Sequence, residues 1–117
     1  MKRTIIAAAL LAASAMQASA AACSPSDFEI RQLELREVVA GEIVSHCATP
    51  AAAGLRTTLR APDGRVVGVG HHYIGAGGFE NIEPGDSAPF DEAVSIVNGF
   101  TVHDLKITGK IVDVIRW

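Results

Sequence analysis

Leu55, Thr57, Leu59 and Ala61 alternate with Arg56, Thr58 and Arg60. Period-two patterning of this kind gives one apolar and one cationic face, as on a half-buried antiparallel strand. Pro62-Asp63-Gly64 follows directly. Proline presets one turn dihedral and glycine supplies positive φ, so the tripeptide is a strong turn signal. Residues 65–74 return as a second strand, and residues 55–74 together read as a β-hairpin. Gly68 and Gly70 in its second arm mark a weak point or a close backbone approach. In an unbroken alternation His71 shares a face with Val67, Val69 and Tyr73, and His72 with Val66 and Ile74.

The segments on either side repeat the pattern. Phe28 and Ile30, then Leu33 and Leu35, alternate with charged residues and change phase at Gln32. Such a slip flips the inward face and predicts a β-bulge or bend there. Residues 39–47 read as a strand with Val39, Gly41, Ile43, Ser45 and Cys47 on one face and Ala40, Glu42, Val44 and His46 on the other. Residues 49–54, opened by Pro50 and closed by Gly54, read as a loop. Residues 75–78 (Gly-Ala-Gly-Gly) read as a mobile loop and residues 79–82 as a short strand. Glu83-Pro84-Gly85-Asp86 is a second turn, residues 87–97 are extended, and Asn98-Gly99 is a two-residue hairpin signal. Phe100, Val102, Leu105 and Ile107, then residues 111–115, complete the apolar pattern. About seven short strands separated by turns predict an all-β fold, an antiparallel β-sandwich.

The first twenty residues differ in kind. Lys2 and Arg3 precede an unbroken apolar run, and Ala18-Ser19-Ala20 supplies a small-residue cleavage site. This is the form of a secretory signal peptide, and the run is too short to span a bilayer. The expected domain organisation is a leader at 1–20 and a single sandwich at 21–117, located in the periplasm or secreted. Loss of the leader removes two of the ten basic residues and none of the thirteen acidic ones, taking the net charge from −3 to −5. An acidic domain with no basic cluster repels phosphate backbones, so neither nucleic acid nor an anionic membrane is the expected partner.

Only Cys23 and Cys47 are present. In an oxidising compartment two cysteines most often pair, and closing such a loop is worth roughly 3 kcal/mol in the chain-entropy view. Ala20-Ala21-Ala22-Cys23 is also a degenerate lipobox, in which a lipid on Cys23 would anchor the domain and leave Cys47 unpaired.

Three stretches resemble FxLyD-type and related immunoglobulin-like bacterial envelope domains. Val39-Ala40-Gly41-Glu42-Ile43-Val44-Ser45 resembles their early strand. Leu59-Arg60-Ala61-Pro62-Asp63-Gly64-Arg65-Val66-Val67-Gly68 resembles their central hairpin. Ile82-Glu83-Pro84-Gly85-Asp86-Ser87-Ala88-Pro89-Phe90 resembles their Pro-Gly segment. Arg60-Ala61 stands where an aromatic and an acidic residue are usual, and Ser45-His46 where Asn is common. The resemblance implies an immunoglobulin-like sandwich that serves as a binding or accessory module, and it carries over no catalytic residue and no cofactor.

The chemistry-bearing residues fit that expectation. His71 and His72 are neighbours and point to opposite faces of a strand. One of them, joined by His46 or His103 with Asp104 or Glu80, is the alternative reading, a periplasmic copper or zinc site. Ser45-His46 are neighbours in sequence, which is not a nucleophile–base geometry. Asp91-Glu92 diverge on an extended strand, whereas a hydrolytic pair must face one bond. Residues 75–78 lack the Lys-Ser/Thr and helix of a phosphate cradle. Trp117 closes an apolar stretch that resembles a barrel end, yet the chain is too short for eight membrane-length strands. The chain is therefore read as a non-enzymatic binding module of unspecified ligand, with His71, His72, Tyr73, Gly77 and Gly78 as candidate contacts at a loop-bearing end.

Overall fold

The computed structural model describes residues 23–93 and 101–117. The leader at 1–20 and the Asn98-Gly99 signal lie outside them. Six strands are present among the described residues: β1 (Phe28–Leu35), β2 (Val39–Ser45), β3 (Ala52–Arg60), β4 (Val66–Ile74), β5 (Ser87–Glu92) and β6 (Lys106–Ile115). They form two antiparallel sheets, β1-β2-β5 and β4-β3-β6. The sheets stack as a sandwich, with β1 over β6 and β5 over β4. The strand count is thus six where about seven were expected. Residues 79–82 contribute only isolated bridges, Ala51 to Ile82 and Gly77 to Glu80.

The hairpin of β3 and β4 forms as its sequence dictates. Gly64, at φ +92°, donates its N–H to the Ala61 carbonyl at 2.8 Å. Asp63 Oδ1 accepts the Arg65 N–H at 2.9 Å, locking the turn from its side chain. Leu55, Thr57, Leu59 and Ala61 are buried, while Arg56 and Arg60 are exposed. The second turn closes in the same way, with Gly85 at φ +85° and the Asp86 N–H on the Glu83 carbonyl.

The phase change in β1 is a bulge. Arg31 faces Glu42 and Glu34 faces Ala40, so Gln32 and Leu33 share the one position opposite Gly41. Gln32 takes φ +56° to make the step. Gly41 opposite the bulge leaves little room for a side chain, since a Cβ would meet the Phe90 ring at 3.0 Å and the Arg31 carbonyl at 3.1 Å. A second bulge in β4 exchanges the faces expected of Val66 and Val67, while His71 keeps the face of Val69 and Tyr73 and His72 that of Ile74. Leu59 faces Gly68 and Arg60 faces Val66, leaving Val67 as the extra residue. Val67 therefore turns inward, 4% exposed, while Val69 stands out at 59%. His71 and Tyr73 share the outer face with Val66 and Val69, and His72 is on the inner side with Ile74.

The main core joins both sheets through Phe28, Val39, Ile43, Leu55, Ile74, Ile82, Phe90 and Ile111. Leu59, Ala61 and Val67 form a smaller cluster toward the hairpin tip. Residues 51–53 are fully buried, and β3 begins at Ala52, so the expected loop at 49–54 is shorter. Alanine has little strand preference of its own, and packing between two ladders decides the matter. The Cys23–Cys47 disulfide, with 5.5 Å between Cα atoms, ties the leading segment to the end of β2. That bond commits the Cys23 sulfur, which the lipid reading required.

Candidate functional site

The outer face of the β4-β3-β6 sheet is built row by row from its register. Arg56 lies directly between Lys110 and His71. Two residues along, Thr58 lies between Thr108 and Val69. Two further, Arg60 lies between Lys106 and Val66. The side chains of Arg56, Arg60, Lys106 and Lys110 are all exposed, because their alternate neighbours Leu55, Leu59 and Ile111 fill the core. Among the described residues none of these four cations has a carboxylate within ion-pair distance. Arg60 Nη1 instead donates to the Gly64 carbonyl at 3.2 Å. Like charges directly opposite one another weaken a sheet. Two such pairs, Arg56 with Lys110 and Arg60 with Lys106, lie on this face, separated by the Thr58–Thr108 row.

The next row closes the strip with the opposite sign. Gly54 lies between Tyr73 on β4 and Asp113 on β6. A Cβ at Gly54 would run into the Asp113 carboxylate. Its absence lets Asp113 lie across the central strand and accept the Tyr73 hydroxyl at 2.9 Å. His71 Nε2 approaches the other carboxylate oxygen at 3.8 Å, and its ring meets Tyr73 edge-on at 5.1 Å. The Asp113 bond holds the proton on Tyr73 and raises its pKa above the ordinary 10.0. A raised folded-state value makes the bond's contribution complete below the ordinary tyrosine pKa, and it fades as the pH climbs through the raised value. Tyr73 is the sole tyrosine. Its tyrosinate absorbance is therefore expected to rise late, and in Asp113→Asn the midpoint should fall back toward the ordinary value. An unmoved midpoint in that variant would remove Asp113 as the cause.

The remaining candidates are placed apart from this face. His72 Nδ1 meets Glu92 Oε1 at 3.2 Å, bridging β4 and β5 across the two sheets. Beside that bridge Tyr73, Gly77, Gly78, Asp91 and Glu92 line a cavity of about 300 Å³. Residues 75–78 lie in a turn closed by backbone hydrogen bonds. The Ala76 N–H bonds the Glu80 carbonyl at 2.8 Å, Gly78 takes φ +59°, and Phe79 packs edge-on against Trp117. Trp117 is itself held by Asn81, whose amide bonds its backbone in both directions at 3.1 Å.

His46 Nε2 contacts Glu29 at 3.2 Å, and Arg31 Nε contacts the same carboxylate at 3.0 Å. Arg31 chiefly, and His46 after it, hold Glu29 below the ordinary carboxylate value. Ser45 faces the interior, where its Oγ accepts the Cys47 N–H at 3.2 Å. His103 sits in a short exposed helical turn, Val102–Asp104. Among the described residues, the only trio of potential ligand groups within mutual reach is Cys23, Asp27 and Cys47, and both of its sulfurs are joined to each other.

Sequence reasoning named His71 and Tyr73 on this face but not Lys106, Lys110 or Asp113. The cationic pattern of Arg56 and Arg60 was visible, whereas its continuation onto β6 depends on register. No protein-family model, curated protein or solved structure matches the chain.

Proposed function

We propose that this is an exported binding module, an immunoglobulin-like envelope sandwich without catalytic activity, whose working surface is the outer face of β4-β3-β6. The reading rests on one observation: four exposed cations gathered by register onto one face, without carboxylate partners among the described residues, in a chain of net negative charge. A sheet that keeps facing cations unneutralised loses some stability, and an anionic partner turns that loss into binding energy. The disulfide and the leader-like first twenty residues support an oxidising compartment outside the cytoplasm.

A sulfonate resin tests the reading, because total charge alone predicts exclusion from it. The protein is expected to be retained at neutral pH and low salt, to elute as salt screens the contact, and to lose retention in Arg56→Ala/Lys110→Ala. Passage of the unaltered protein straight through the resin would refute a functional cationic face.

A further inference from the structure

We infer that the anionic partner of this face is a second copy of the same chain, docked through the opposite, acidic face of its sandwich; the inference rests on the binding reading above. The two sheets carry charge of opposite sign. Strands β3, β4 and β6 hold Arg56, Arg60, Lys106 and Lys110 against Asp113 alone. Strands β1, β2 and β5 hold Glu29, Glu34, Glu42, Asp91 and Glu92 against Arg31 alone. Glu92 turns to His72, and the other four carboxylates lie on the outer side of their sheet. There Glu42 lies between Arg31 and Pro89. Ala40, two residues back on β2, lies between Glu34 and Asp91, and Val44, two residues on, lies between Glu29 and Ser87. Arg31 pairs with Glu29 at 3.0 Å and Arg36, just past β1, pairs with Glu34 at 2.8 Å. Two cations thus offset four carboxylates, and among the described residues Asp91 has no cation within ion-pair distance.

The spacing of the two faces also agrees. The Arg56 and Arg60 rows are four residues apart on β3. Glu29 and Glu34 stand opposite Val44 and Ala40, which are four residues apart on β2. Each separation is roughly 13 Å at the rise of an extended chain. Between the cationic rows lies the uncharged Thr58–Thr108 row, and between the acidic rows lies the Glu42–Arg31 row, whose charges cancel. An acidic row therefore meets each cationic row when one copy is laid on the next. Packing like faces together would set cation on cation or carboxylate on carboxylate, which electrostatic complementarity forbids. The contact is therefore head-to-tail, and because each bound copy still offers one free face of each sign, it repeats into an open row. Three strands about 4.8 Å apart and roughly 20 Å of their length give a patch of a few hundred Å² per partner, below the ~800 Å² of a standard interface. Each link is thus weak, held by charge and loosened by salt.

Sedimentation velocity of the whole protein, up to millimolar concentration at low salt, tests this. The weight-average sedimentation coefficient is expected to rise steadily with concentration and to return to the monomer value in high salt. Arg56→Glu/Lys110→Glu removes one face and Glu42→Lys/Asp91→Lys the other, so each variant alone should stay monomeric. Mixed together, each supplies the face the other lacks, and they should form a one-to-one dimer that grows no further. The milder Arg56→Gln/Lys110→Gln should weaken association about tenfold or more. Circular dichroism of each variant reports whether the fold is kept. A monomer at every concentration overturns the inference, as does association that survives in either folded charge-reversed variant, the result expected of pairing between sheet edges. Failure of the two folded variants to combine also overturns it. If the protein stays monomeric while the sulfonate resin still retains it, this inference falls and the binding reading stands. If the resin fails too, both fall.

Discussion

Leu55→Ala is expected to lower the free energy of unfolding by about 2–5 kcal/mol, the range for emptying a close-packed leucine site. Leu55 is fully buried at the centre of β3, in the cluster that joins both sheets. Both of its backbone neighbours, β4 and β6, hold the ladder in place, so the surrounding structure has little freedom to collapse into the space. Total stability for a domain of this size is of order 5–15 kcal/mol, so one substitution removes a large share. Urea unfolding followed by circular dichroism measures the change. A shift in midpoint with unchanged slope is expected, and a loss below about 1 kcal/mol would mean that β3 is not the structural centre.

Removing the disulfide is the other large effect. Cys23→Ala/Cys47→Ala is expected to cost about 3 kcal/mol and to lower the melting temperature by roughly 12–24 °C. The bond fastens a segment that otherwise has few anchors, chiefly the Asp27 carbonyl accepting the His46 N–H at 2.7 Å. Cys47 is also 4% exposed and packs into the same cluster as Leu55, so the two losses will not simply add when combined. A melting temperature within a few degrees of the oxidised protein would show that Cys23 is not fastened to β2 in solution.

Much of this architecture is written locally in the chain. The alternation from Leu55 to Ala61 and the Pro-Asp-Gly turn specify β3 and its hairpin because each residue acts through its own dihedrals and its own face. The phase slip at Gln32 is legible for the same reason, since apolar residues on both sides of it mark where the face flips. The bulge at Val67 is not, because Val66, Val67 and Val69 are all apolar and any phase fits them. The burial of residues 51–53 is hidden by their methyl side chains, which carry no periodic signal, and by the proline and glycine that bracket them. The working face was half legible. Arg56 and Arg60 are visible on one strand, but Lys106 and Lys110 join them only through pairing across the sheet. The Tyr73–Asp113 bond is hidden more deeply, since it depends on a missing side chain at Gly54 on the strand between them.

The placing of β3 between β4 and β6 has a consequence for how the protein is made. Its partner on one side is the adjacent hairpin arm, available as soon as it is synthesised. Its partner on the other side, β6, follows every other described strand in the chain. A chain that emerges N-terminus first has the hairpin ready while the second flank of β3 still shows bare N–H and C=O groups, a template for pairing with other chains. The interval between release of Arg60 and release of Ile115 is therefore the period in which newly made copies are most prone to aggregate. A faster passage through that interval protects the molecule without changing any contact in its folded form.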